Sequence, residues 1–130
     1  MTFKNDYATG LKSENEMMPI LINYFNRDIK KTFNKYCKYD FEDNEYKYEL
    51  KTRNNKYSTY PTTIVGCDKI TNNKIIFLFK FIDGLYYIEY NEEQFKQFEK
   101  KPFVRNSRSD FIDIKKDYLF IPINFLNKII

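Results

Sequence analysis

Asp40, Glu49 and Lys51 stand close together in the stretch DFEDNEYKYELKTR, and their types suit one chemistry. Hard carboxylate oxygens can hold Mg²⁺ (or Mn²⁺) while leaving positions open for water and phosphate oxygens. A cation so held polarises a phosphodiester and helps generate hydroxide from bound water. A lysine beside that water would orient it and stabilise the charge that builds in the transition state.

The pattern acid-x-Lys selects nothing by itself in this composition. It occurs at Asp28-Lys30, Glu45-Lys47, Glu49-Lys51, Glu99-Lys101 and Asp113-Lys115. Glu49-Leu50-Lys51 differs in its setting, because it falls inside a stretch that reads as a strand. Tyr46, Tyr48, Leu50 and Thr52 alternate with Lys47, Glu49, Lys51 and Arg53, so the two sets project from opposite faces. The preceding Tyr36 to Phe41 alternates too, with Cys37, Tyr39 and Phe41 on one face. Glu42-Asp43-Asn44-Glu45 reads as the turn between them. If Asp43-Asn44 is its centre, Asp40 faces Lys47 and Lys38 faces Glu49. Asp40 is then diagonal to Glu49, roughly 7–8 Å away at Cα, a span two carboxylates can close around one cation. A bulge would change this geometry. The plainer reading makes these residues the solvated face of a half-exposed hairpin, with Lys and Glu alternating for cross-strand pairing. Glu45-Lys47 shares that face and competes locally with Glu49-Lys51.

A helix before the hairpin supplies a third acid. Ser13 as N-cap with Glu16 three positions on makes a capping box. Met18, Leu21, Ile22, Phe25, Ile29, Phe33 and Tyr36 then recur at helical spacing, with an end anywhere from Arg27 to Lys35. Glu14 lies on the stripe of Met18, Leu21 and Phe25, and a carboxylate heading such a stripe is costly unless it meets a cation. Glu14 therefore joins Asp40 and Glu49 as a candidate ligand.

With Gly10-Leu11-Lys12-Ser13-Glu14, Asp40 and Glu49-Leu50-Lys51 in this order, the chain resembles the PD-(D/E)XK (restriction-endonuclease-like) nucleases over residues 10 to 90. Tyr39 stands where a proline often precedes the Asp in that superfamily. The string YELKTRNNKYSTYPTTIVGCDKI is also similar to small proteins of large, A/T-rich DNA viruses. The resemblance implies Mg²⁺-dependent phosphodiester hydrolysis, with DNA ahead of RNA as substrate and the Leu50 carbonyl as a further ligand. It also implies an auxiliary role for Lys69, and pairing into a homodimer that cuts two strands. Arg53, Lys56, Lys69, Lys100, Lys101, Arg105 and Arg108 are candidate phosphate contacts, which would position a strand without reading its sequence.

The rest of the chain must hold this hairpin in place. Its 130 residues suit one domain. Pro61 opens either a short helix carrying Ile64, Val65 and Ile70 or an extended segment. Lys74 to Ile82 suits a central strand, Asp83-Gly84 a hairpin turn, and Leu85 to Tyr90 the return. Asn91 with Gln94 caps a helix through Lys100 that buries Phe95 and Phe98. Lys101 to Asp110 reads as a basic loop and Tyr118 to Ile123 as a final strand, placed at an edge by Pro122. The expected fold is mixed α/β (α+β) with a restriction-endonuclease-like core. Its mixed central sheet, with the hairpin carrying the site, is flanked by helices.

Composition sets outer bounds. The longest apolar run, Ile75 to Phe79, is far short of the about 20 residues that span a bilayer, so no membrane partner is expected. The opening MTFKNDYATG lacks a signal peptide's apolar core, which predicts an intracellular protein, in the host cell or virion if viral. Cys37 and Cys67 lack metal-ligand spacing and read as buried small hydrophobes. With 22 basic and 18 acidic residues the formal charge is +4, compatible with a polyanionic partner without demanding one. Three function classes follow: a metal-dependent nuclease, a non-catalytic nucleic-acid-binding or virion-associated module that keeps the fold, and a structural interaction domain.

Overall fold

The computed structural model describes residues 15–32, 39–70, 74–103 and 116–130. Ser13, Glu14, Phe33, Tyr36, Cys37, Lys38, Arg105 and Arg108 lie outside that set. The chain is α+β, with helix α1 over 15–25 followed by short strands β1 (Lys30–Lys31) and β2 (Phe41–Glu42). Strand β3 (Lys47–Thr52) carries the candidate residues and leads through a loop to β4 (Thr62–Gly66). Then come β5 (Ile75–Phe81), β6 (Gly84–Glu89), the single-turn helix α2 (Glu92–Phe95) and β7 (Glu99–Phe103). Strands β8 (Lys116–Pro122) and β9 (Asn127–Lys128) complete the order.

Among the described residues these strands form a six-stranded mixed sheet, β1-β2-β3-β5-β6-β9, and a three-stranded antiparallel sheet, β4-β8-β7. β5 lies between β3, to which it is parallel, and the antiparallel β6, and both its faces are covered, so Ile75 to Phe79 is apolar throughout. Phe77, Phe79 and Phe81 meet Val65, Leu119 and Ile121 of the smaller sheet. Ile76 and Leu78 join Phe41, Tyr48 and Leu85 under Met17 and Leu21 of α1. The large sheet is thus covered on both sides, and burying each such side chain contributes about 1.5–3 kcal/mol.

Several expectations change. α1 stops at Phe25 because Asn26 adopts a left-handed backbone at φ 53°, which caps the helix and turns the chain into β1. Its buried stripe is Met17 and Leu21, while Ile22 is exposed. Of the two readings open after Pro61, residues 62–66 take the extended one, and Cys67–Lys69 follows as a 3₁₀ turn. Asn91 does cap α2, its side chain accepting the Gln94 amide, but the helix ends at Phe95. Phe95 and Phe98 reach the core all the same, and Glu99 onward pairs with β8. β8 is the middle strand of its sheet, and Pro122 is tolerated there as its last residue, opposite Thr62. Cys67 is a half-buried free thiol. No helix among the described residues is long and apolar enough to cross a membrane.

Candidate active site

The register of the β2–β3 hairpin is set by Asp43. Its Oδ1 accepts the amides of Glu45 and Tyr46, both at 2.7 Å, and its Oδ2 accepts the Tyr48 hydroxyl. An aspartate that caps the amides two and three positions on stands at the start of a turn, which leaves Asn44-Glu45 at the tip. Phe41 accordingly faces Tyr48 and Glu42 faces Lys47. This corrects the expected register, in which Asp40 faced Lys47, by two positions. Burial alone would raise the Asp43 pKa. The Tyr48 hydroxyl, the two amides and the Arg27 charge outweigh it and hold the carboxyl below its ordinary value.

A bulge at Asp40 completes the correction. The Asp40 amide donates to the Tyr48 carbonyl at 2.9 Å, although Phe41 already sits opposite Tyr48. Two residues thus oppose one, and the strand's alternation is reset. Tyr39 and Phe41, expected on one face, lie in opposite cores. Thr32 supports the bulge, its hydroxyl donating to the Tyr39 carbonyl at 2.6 Å and its amide to the Asp40 carbonyl at 3.1 Å.

These two departures bring Asp40 alongside Glu49. The amides of Lys47 and Arg53 donate to Lys74 and Lys80 on the β5 side. Alternate residues of a strand turn their backbone groups to opposite neighbours, so the amide and carbonyl of Leu50 face the β2 edge. There the Leu50 amide donates to Asp40 Oδ2 at 2.8 Å. Asp40 therefore straddles Glu49, with its amide on Tyr48 and its carboxylate on Leu50.

Glu49 does not lie on a solvated face. It is 5% exposed, and in the ladder it stands beside Phe77 on the side covered by the smaller sheet. Its Oε1 meets Lys51 Nζ at 3.1 Å and Lys69 Nζ at 3.8 Å. Its Oε2 is buried with no hydrogen-bond partner among the described residues. A buried carboxylate oxygen left without a donor is costly and is the kind of atom a cation would satisfy. Lys69 arrives from the 3₁₀ turn, which the Tyr39 hydroxyl pins by donating to the Lys69 carbonyl at 2.8 Å.

The structure thus gathers Asp40, Glu49, Leu50, Lys51 and Lys69. Among the described residues no cluster of three or more His, Cys, Asp or Glu side chains is close enough to hold a metal. Asp40, on the Leu50 amide, and Glu49, beside it in β3, offer oxygen donors of the type that suits Mg²⁺, which retains several waters. Glu14 lies outside the described residues. The described part of α1 packs on the opposite face, under Tyr48 and Leu50, so it supports β3 from behind. Arg53 acts as a clamp, its Nη2 donating to the Ile64 carbonyl at 2.7 Å and its Nε to Thr63 Oγ1 at 3.3 Å. Lys56 is exposed on the following loop. Of the residues that position the site, Thr32 carried no signal in the sequence, Tyr39 was legible only as a strand residue and Asp43 only as part of the turn. The adjacent Asp43 and Asn44 between two alternating stretches carried a signal, since Asp and Asn side chains accept the backbone amide two residues on in Asx turns.

Compared with known proteins, the chain matches no family model, no curated protein and no solved structure.

Proposed function

We propose that this chain is a metal-dependent nuclease that hydrolyses phosphodiester bonds, in DNA ahead of RNA, on a restriction-endonuclease-like core built from β2, β3, β5 and α1. The observation that carries the reading is Glu49, a buried carboxylate with one oxygen lacking a donor, on a rigid strand beside Asp40 and Lys51. Asp40, Glu49 and the Leu50 carbonyl would hold Mg²⁺ or Mn²⁺. A divalent ion bound there supplies polarisation of the scissile phosphate and a more acidic bound water.

The chain's own residues do the rest. Lys51, drawn to Glu49 Oε1, is held at the site by strand geometry, where its ammonium orients the attacking water and offsets charge on the phosphate oxygens. Lys69 brings a second positive charge to the same carboxylate and is a phosphate contact. Asp40, fixed by the Leu50 amide, holds its carboxylate without needing to reorganise. The hydrophobic wall of Phe77 and Phe79 beside Glu49 and Lys51 lowers the local dielectric and strengthens each of these interactions.

The test is cleavage of single-stranded, duplex and branched DNA, and of RNA, in Mg²⁺, Mn²⁺ or EDTA, beside a folded Lys51→Ala variant. Metal-dependent cutting that falls about a hundredfold or more in the variant is expected. Cutting that Lys51→Ala retains would place the chemistry elsewhere. Salt-sensitive binding without any cutting would leave a non-catalytic nucleic-acid-binding module.

A further inference from the structure

We infer that the groove between the end of β3 and the loop over 54–61 seats an unpaired nucleobase of the strand whose backbone lies at the candidate site. The inference rests on the nuclease reading for its occupant. The groove has a volume of about 380 Å³, and its lining includes Arg53, Asn55, Tyr57, Tyr60, Thr62 and Phe81, with no acidic side chain. That volume suits a ring-sized ligand, given that small-molecule sites run from roughly 300 to 1,000 Å³.

Position connects the groove to the chemistry. Glu49, Lys51 and Arg53 project from one face of β3, so the groove begins four residues beyond Glu49, about 13 Å along the strand. Lys51, Arg53 and the exposed Lys56 follow one another along the chain toward the groove, and Arg53 lines it. A polyanionic backbone would follow these charges. The nearest acid of the next turn, Asp83, is turned to the Tyr57 amide at 2.8 Å.

The groove is also preformed, although it lies on a loop. The Ile82 amide donates to Asn55 and the Ile123 amide to Pro61, which fastens the loop at both ends. Tyr57 stacks on Tyr86 with centroids 4.1 Å apart, and its hydroxyl donates to the Ile123 carbonyl at 2.7 Å. Tyr60 is different, 59% exposed at the groove's edge. An exposed ring beside a cationic track is what sequence-tolerant stacking on a single strand requires.

The experiment is fluorescence anisotropy in EDTA, with labelled oligo-thymidylate and oligo-uridylate, so that binding is read without cleavage. Tyr60→Ala is expected to weaken binding about tenfold, and Tyr60→Phe, which keeps the ring, to hold within about twofold. Lys56→Gln should lower the salt dependence by about one phosphate contact, and Tyr60→Ala should leave that slope unchanged. The tighter of the two oligonucleotides identifies the strand. Tyr60→Ala binding like wild type, or wild type binding neither probe, overturns the groove. Tyr60-dependent binding in a protein that never cuts would overturn the nuclease reading and leave the groove standing. Cutting with KM unchanged by Tyr60→Ala would do the reverse.

Discussion

Two acid-x-Lys pairs lie four residues apart on one hairpin, Glu45-Tyr46-Lys47 and Glu49-Leu50-Lys51, and the fold treats them in opposite ways. Glu45 sits at the turn tip with its side chain 49% exposed, and it pairs with Arg27 at 3.1 Å and Lys74 at 3.2 Å. Those hydrogen bonds hold its carboxyl below the ordinary range. Lys47 turns away from Glu45 and pairs across the hairpin with Glu42. Glu49 is buried, pairs with its own Lys51 and keeps one oxygen without a partner among the described residues. The first pair is saturated by solvent and neighbours. The second retains an unmet electrostatic demand, and unmet demand in a buried site points to function. The identical spacing therefore carries little information. The cover placed over it by the smaller sheet carries most.

The sharpest way to break this contrast is Glu49→Gln. Cleavage should fall about a thousandfold, equivalent to about 4 kcal/mol of transition-state stabilisation. The urea midpoint should fall but folding should survive, because Lys51 and Lys69 lose their charged partner while the amide keeps the side chain's shape. Loss of folding in that variant would make Glu49 a structural ion-pair residue instead. Asp40→Ala comes next. It strips the Leu50 amide of its acceptor, so stability should drop by about 1–2 kcal/mol in urea melts. Mn²⁺ affinity should weaken by at least about tenfold by calorimetric titration, since a carboxylate donor lost from the ion costs no less than an outer partner of one.

Asp43 tests the turn that sets the register. Its folded pKa is held below the ordinary carboxylate value, so its contribution is complete above about pH 4 and is lost as pH falls through the lowered folded value. Asp43→Asn should therefore be less stable than wild type by about 2 kcal/mol at neutral pH, and the gap should close in melts run toward pH 2. A gap that stays constant with pH would show that the carboxylate charge is not what organises the turn. Glu45→Gln is the smallest change, with cleavage expected at the wild-type rate and thermal melting indistinguishable at high salt. A rate loss there comparable to Glu49→Gln would move the site to the turn.

The amino-acid sequence by itself determined the local facts. Period-two alternation marked β3, and the unbroken apolar run marked β5 as a central strand. Asn91 with Gln94 marked the start of α2. These are short-range properties of propensity and capping, and each is read from a few neighbouring residues. The candidate residues were legible too, since Asp40, Glu49 and Lys51 were singled out by type and setting. Tertiary structure decided how they meet. The turn moved to Asn44-Glu45 because Asp43 caps two amides, and Asp40 bulged because Tyr39 and Phe41 each had a core to fill on opposite sides. Only a second sheet over the Glu49 face could turn an ordinary solvated pair into a buried one, and it delivered Lys69 from 20 residues away to the same carboxylate. Burial on both sides of a strand is a property of what the rest of the chain stacks against it, and no local pattern in the strand records it.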